Sequence, residues 1–141
     1  MIYQHILVAL ELSEDSKKLI DKAISFAQAA QADISFIHVD GTIGDISTEL
    51  IDIQADKTAR PLNDRANEML RELQAYPDCP IQKFLVGTGD LGDKLAGTII
   101  ENDFDLLVCG HHHDFWSNIV SYSRHLINKS SIDILVVPLR K

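Results

Sequence analysis

Five short apolar runs, rich in β-branched residues, constrain this chain more than any other feature. They are Tyr3–Leu10, Asp33–Val39, Ile81–Val86, Asp105–Cys109 and Ile132–Pro138. Each has strand length rather than helix length. Several are apolar at nearly every position: Ile6-Leu7-Val8, Leu106-Leu107-Val108 and Ile134-Leu135-Val136-Val137. A strand with one wet face alternates apolar and polar residues. A strand with no polar face must be covered on both sides, which a parallel sheet between two helix layers provides.

Helical periods fill the gaps between the runs. After Ser13, read as an N-cap, Leu19, Ile20, Ala23, Ile24, Ala27 and Ala30 recur at spacings of three and four. Leu62, Ala66, Met69, Leu70 and Leu73 form a second stripe, with Pro61 tolerated in its first turn. Asp90 opens a third, with Leu91, Leu95, Ile99 and Ile100. Ser117 opens a fourth, with Ile119, Val120, Ser123, Ile127 and Ser130. Strands alternating with helices of this length predict an open α/β sheet with right-handed crossovers and helices on both faces. Gly41 to Arg60 carries Ile43, Ile46, Leu50, Ile51 and Ile53 without a clean period. It is expected to be a long crossover loop, with or without a short helix. The 141 residues show no internal repeat and no linker, so residues 1–141 read as one domain.

Charge and apolar content exclude several classes of function. Asp plus Glu number 21 against 13 for Lys plus Arg, a net charge of −8. A binder of phosphate backbones or anionic membranes needs the opposite sign. At 45% hydrophobic residues the chain has enough apolar material for a core, which argues against disorder. No apolar run approaches the roughly 18–20 residues of a membrane span. Met1-Ile2-Tyr3-Gln4-His5 lacks the cationic start of a signal peptide, and two isolated cysteines, Cys79 and Cys109, suit a reducing compartment. The expected address is cytoplasmic, with no nucleic acid and no membrane as partner.

Ligands of open α/β sheets bind beyond the carboxyl ends of the strands. The informative residues are therefore Glu11, Val39-Asp40, Gly87-Thr88-Gly89 and Gly110-His111-His112-His113-Asp114. Gly87-Thr88-Gly89-Asp90-Leu91-Gly92 spells GxGxxG, yet it follows the third strand, and Asp90 would aim a carboxylate at phosphate. A tight strand-to-helix turn capped by Asp90 is the simpler reading. Cys109, His111, His112, His113 and Asp114 are all metal-ligand types. Neighbours at one strand end point in different directions, however, and only His38 offers a donor from another strand end. No metal site is expected. There is no GxSxG elbow, and Cys109 in an apolar strand reads as a buried, inert thiol. Glu14-Asp15 and Asp90 with Asp93 sit where helix first turns favour acids. Phe115 and Trp116 are read as sealing the start of the last helix.

Longer segments resemble the universal stress protein family, and within it the A branch. They are His5-Ile6-Leu7-Val8-Ala9-Leu10-Glu11-Leu12-Ser13, Ile37-His38-Val39-Asp40, Gly87-Thr88-Gly89-Asp90-Leu91-Gly92, Cys109-Gly110-His111-His112-His113-Asp114-Phe115-Trp116-Ser117 and Ile134-Leu135-Val136-Val137-Pro138-Leu139-Arg140. They occur in family order and span the chain. The resemblance implies a five-stranded parallel sheet of order 3-2-1-4-5 with two helices on each face. It also implies a homodimer built through the last strand, Ile132–Leu139. That run has an independent physical reading, because a long apolar sheet edge aggregates unless something pairs with it.

The family divides by nucleotide binding. One branch carries Gly-x2-Gly-x9-Gly followed by Ser or Thr after the fourth strand, a backbone cradle for the phosphates of ATP. In this chain the first glycine is Gly110, the second position is His113, the third is Ser123, and the hydroxyl position is Arg124. The acid after the first strand, Asp in many members, is Glu11. These departures match the non-binding A branch. The expected function is a non-catalytic, adaptor-like stress-response homodimer with no cofactor, no bound ATP and an unidentified protein partner. The rival is an adenine-nucleotide sensor using Glu11, Val39 and Gly110, with Arg124 replacing lost phosphate contacts. A third reading, an enzyme that is a weak nucleotide hydrolase or phosphorylates itself, lacks a nucleophile paired with a base.

The triple histidine gives the first measurable consequence. Untagged, chelator-free protein is expected to carry far less than one zinc per chain by elemental analysis. One tightly held zinc per chain would overturn the loop reading of His111-His112-His113.

Overall fold

The computed structural model describes residues 2–40, 50–89, 91–111 and 132–139. Its elements are β1 (His5–Ala9), α1 (Ser16–Ala30), β2 (Asp33–Asp40), β3 (Ile51–Asp52), α2 (Asp64–Ala75), β4 (Phe84–Thr88), α3 (Leu91–Asn102), β5 (Leu106–His111) and β6 (Asp133–Pro138). They form one sheet of order β3-β4-β2-β1-β5-β6. The five strands read from the sequence are parallel to one another and follow the implied order 3-2-1-4-5.

Among the described residues the sheet has six strands rather than five. The extra one is β3, which lies in the segment expected to be a loop. It runs antiparallel to β4, pairing Ile51 with Val86 and Asp52 with Leu85. Two residues are too few to show a period, so the strand is set by its neighbours instead. Ile53 is fully buried, and its N–H donates to the Phe84 carbonyl at 2.9 Å. The Asp52 carboxylate accepts from the N–H groups of Gln54 and Phe84, both at 3.0 Å. Arg71 then fixes the chain beyond β3. Its guanidinium donates to the carbonyls of Ile53, Lys57 and Ala59 at 3.0 Å and of Asp56 at 3.3 Å.

Alternation along the strands divides the core into two layers. Ile6, Val8, Ile34, Phe36, Phe84, Val86, Leu106 and Val108 meet Leu19, Ile20, Ala23 and Ala27 of α1 and Leu70 and Leu73 of α2. Phe36 and Phe84 meet edge to face there, centroids 5.5 Å apart. Leu7, Ala9, Ile37, Leu85, Leu107 and Cys109 face the opposite way, onto Leu95 and Ile99 of α3. Helices thus cover both faces. The helix read after Ser117 lies outside the described residues.

The strands expected at Ile81–Val86 and Asp105–Cys109 lie at Phe84–Thr88 and Leu106–His111, so Gly87, Thr88, Gly110 and His111 belong to strands rather than follow them. Two expected helix boundaries also move. The first helix begins at Ser16, with Asp15 rather than Ser13 as its N-cap. Ser13 instead belongs to the preceding turn, and its carbonyl accepts from the Ser16 N–H at 3.2 Å. Pro61 precedes α2, whose N-cap is Asn63, with Oδ1 accepting from Ala66 N–H at 3.0 Å. Across the surface, Lys17 Nζ donates to Glu72 at 2.7 Å and the Tyr76 hydroxyl to Asp21 at 2.9 Å, joining α1 to α2.

Arg71 is the residue to test for β3. Arg71→Met keeps the aliphatic stem and removes every donor. Charged hydrogen bonds contribute about 1.5–3 kcal/mol when well shielded, and this half-buried group should fall near the lower end. Chemical denaturation should show a loss of about 1–2 kcal/mol, and hydrogen exchange should show faster exchange at the Ile53 amide than in the core of β1.

Candidate functional site: the cleft at the strand carboxyl ends

Chain direction reverses at β1. From β1 the chain steps outward on one side to β2 and β4, and later on the other side to β5 and β6. The carboxyl ends of β1 and β5 therefore flank the topological switch point. Three of the residues singled out in the sequence come together at this end of the sheet. Glu11 follows β1, Val39 lies near the end of β2, and Gly110 lies near the end of β5. His112, His113, Asp114, Phe115, Trp116, Ser117, Ser123 and Arg124 lie outside the described residues.

The β1–α1 turn is tied down by its own polar groups. Glu11 is half-buried. Its carbonyl accepts from Ser13 N–H at 3.0 Å and from Ser16 Oγ at 2.6 Å. The Ser13 hydroxyl is buried and has no hydrogen-bond partner among the described residues. Leu10 N–H donates to the Ile37 carbonyl at 2.9 Å, which carries the β1–β2 ladder into the turn. His38 closes the same corner, with Nδ1 2.8 Å from the Leu10 carbonyl. A carbonyl only accepts, so Nδ1 carries the proton. The one outside ligand proposed for the histidine cluster thus spends Nδ1 on the backbone. Among the described residues no group of three His, Cys, Asp or Glu side chains converges to hold a metal ion. Cys109 is buried, and desolvation pushes its thiol up to about 12.

Gly87, Gly89 and Gly110 are explained by packing and turn geometry. Gly89 has φ 108°, a left-handed angle that follows directly on β4 and sets the turn into α3. A Cβ on Gly87 would lie 2.7 Å from Leu50 Cδ2, so this glycine admits a leucine from the crossover segment. The GxGxxG spelling here marks a turn and a packing contact. Gly110 has the same character. A Cβ there would collide with Leu139 Cδ1 and lie 3.1 Å from its Cγ, with Leu19 Cδ2 at 3.6 Å. Leu139 is buried in the α1-side core.

Leu50 and Leu139 were not singled out in the sequence as site residues. Leu139 had a faint signal, because it continues the same-face alternation of Leu135 and Val137. The Gly110 contact yields a double-mutant test. Gly110→Ala should destabilise the protein by about 1–2 kcal/mol, at the low end for overpacking because Leu139 offers a methyl rather than backbone. In a Leu139→Ala background the same change should cost much less. Equal penalties in both backgrounds would separate Gly110 from Leu139.

Comparison with known proteins agrees with this architecture. The model of the universal stress protein family matches residues 2–138. Universal stress protein A of Salmonella typhimurium strain LT2 is 45% identical over 140 residues, covering 99% of this chain and 97% of its own length. The protein of the same name from Escherichia coli K12 is 44% identical over the same span. Among solved structures, the universal stress protein UspA from Lactobacillus plantarum superposes with TM-score 0.65 at 17% identity, covering 97% of this chain and 99% of that one. A universal stress protein solved in complex with cAMP gives TM-score 0.60 at 21% identity, covering 99% and 100%. The chain belongs to the universal stress protein family.

Proposed function

We propose that this chain is a non-catalytic, cytoplasmic stress-response protein that works as a homodimer and leaves its cleft free of ATP. Family membership, with 45% identity to a universal stress protein A, supports a role in stress response. The observation that carries the ATP reading is the state of the phosphate loop. Gly110, its one remaining glycine, is matched to Leu139 and Leu19 by packing. His113, Ser123 and Arg124 stand where the binding branch has two glycines and a hydroxyl. A phosphate cradle needs several inward N–H groups and little side-chain bulk. The net charge of −8 further disfavours a triphosphate.

Catalysis has little support at this end of the sheet. Burial pushes the Cys109 thiol up to about 12, so it is protonated and unreactive at neutral pH. The homodimer draws support from the asymmetry of the sheet edges. One edge ends in the two-residue β3, while the other ends in the longer, largely apolar β6. A bare edge of the second kind calls for a partner strand.

A second reading, a sensor of adenine nucleotides, is favoured by one observation. Universal stress proteins of this fold have been solved in complex with cAMP and with dAMP. A single phosphate asks for fewer donors than a triphosphate; such a nucleotide would meet the Gly110 backbone with its phosphate and Glu11 and Val39 with its nucleoside. Calorimetry with ATP, AMP and cAMP separates the readings. ATP is expected to bind no more tightly than about 1 mM, or about −4 kcal/mol. His113→Gly with Ser123→Gly and Arg124→Ser should gain measurable ATP binding. Micromolar ATP binding by the unmodified chain would defeat the non-binding reading, and micromolar AMP or cAMP would establish the sensor.

A further inference from the structure

We propose that residues 51–60 form a strap that closes the β4 edge of the sheet against β4 of a second copy, with Asp52 and Arg71 as the residues that end the sheet there. The strap acts on the side of the sheet away from β6 and stands apart from the homodimer proposed above.

β4 is the strand that needs closing. Without β3 it would be the last strand on its side of the sheet. Phe84-Leu85-Val86-Gly87-Thr88 holds no charge and no proline, two of the devices that blunt a sheet edge. Its side chains are apolar on both faces, Phe84 and Val86 toward α1 and α2 and Leu85 toward α3. In an antiparallel ladder every second residue turns its N–H and C=O to the neighbouring strand. Here those residues are Phe84 and Val86. An uncovered β4 would match its own copy. A two-fold axis at Leu85 sets Phe84 of each chain opposite Val86 of the other, N–H against C=O.

The strap covers this edge without offering a new one. β3 is two residues long, and the chain leaves strand geometry after Asp52. Phe84 N–H donates to the Asp52 carboxylate at 3.0 Å, where a continuing strand would have supplied a backbone carbonyl. Beyond β3, the Arg71 guanidinium draws the carbonyls of Ile53, Asp56, Lys57 and Ala59 onto α2. Those oxygens are turned out of the row that a further strand would need.

The strap is also pinned along its length. Leu50, just before it, enters the space that a Cβ on Gly87 would fill. Ile53 is buried in the α1-side core. The Gln74 amide donates to the Ile53 carbonyl at 3.3 Å and to the Gln54 side chain, which in turn donates to the Ile81 carbonyl at 2.8 Å. The hold on this edge therefore comes from side chains of α2 and of the strap itself rather than from a long ladder.

The test compares edge protection and assembly size in the intact chain. Asp52→Ala with Arg71→Met removes both side-chain holds. At low concentration the Val86 amide of this double variant should exchange about tenfold faster than in the unmodified chain. As concentration rises, its weight-average mass by sedimentation should reach about twice the unmodified value or more, and the Val86 amide should regain protection in step. Ile20→Val lowers stability from within the core and leaves the strap intact, so it should keep the unmodified mass and protection. A Val86 amide that stays protected in the double variant overturns the strap. A freed amide with unchanged mass at every concentration overturns pairing through β4. Equal growth in Ile20→Val would make the assemblies a product of general unfolding and also overturns it. If the double variant fails to fold, Arg71→Lys carries the same test, because an ammonium lacks the fork that spans these carbonyls.

Discussion

Burial of β1 on both faces is the constraint on which the rest of the molecule depends. Ile6, Leu7 and Val8 are each 0% exposed. Ile6 and Val8 point toward α1 and α2, while Leu7 points toward α3. Both edges of the strand are also taken, by β2 and by β5. Fully burying one such side chain contributes about 1.5–3 kcal/mol. Three in a row give the sequence no way to expose this segment cheaply. Every other element can be described by the side of β1 that it closes.

Closing those sides determines where polar chemistry can sit. Parallel strands send their carboxyl ends to one end of the sheet, and there Leu10, Glu11, Val39 and Gly110 gather. The opposite end is occupied by a structural polar cluster. Asp105 accepts from the Gln4 and His5 N–H groups at 2.8 and 3.1 Å, and the His5 ring packs at a tilt against Phe104, centroids 4.1 Å apart. Lys83 Nζ donates to Asn102 Oδ1 at 2.8 Å beside them. These groups satisfy chain ends where helices and strands begin and stop, and they use their donors and acceptors on one another.

Particular residues show what was legible in the sequence. Ile6-Leu7-Val8 and Leu106-Leu107-Val108 announced central strands because buried parallel strands have no polar face to spare. β3 was illegible, since Ile51-Asp52 is held by Asp52 and Arg71 rather than by any pattern of its own. The first helix was read two residues too early because Ser13 is a good cap by type, yet the turn is closed by Ser16 bonding to Glu11. At the cleft, Glu11, Val39 and Gly110 were legible from their places just beyond or near the strand ends. The reason Gly110 must be glycine was not. That depends on Leu139, which is distant in sequence and reaches it only through the register of β5 with β6.

Strand β6 links the two ends of the sheet mechanically. Its first residue, Asp133, is held by Tyr3, and the residue just past its end, Leu139, packs on Gly110. Between them Val137 is buried while Leu135 is open. A glycine that serves a phosphate must keep its approach clear of side chains. A glycine that admits a leucine is already filled on its Cβ side. Gly110 admits Leu139 in this way, and the gain is a β6 that is anchored at both ends. An anchored strand presents its outer edge with little freedom left to lose, and that preorganisation lowers the entropy lost on pairing. Packing at Gly110 and the anchoring of β6 thus follow from one register, Gly110 opposite Val137.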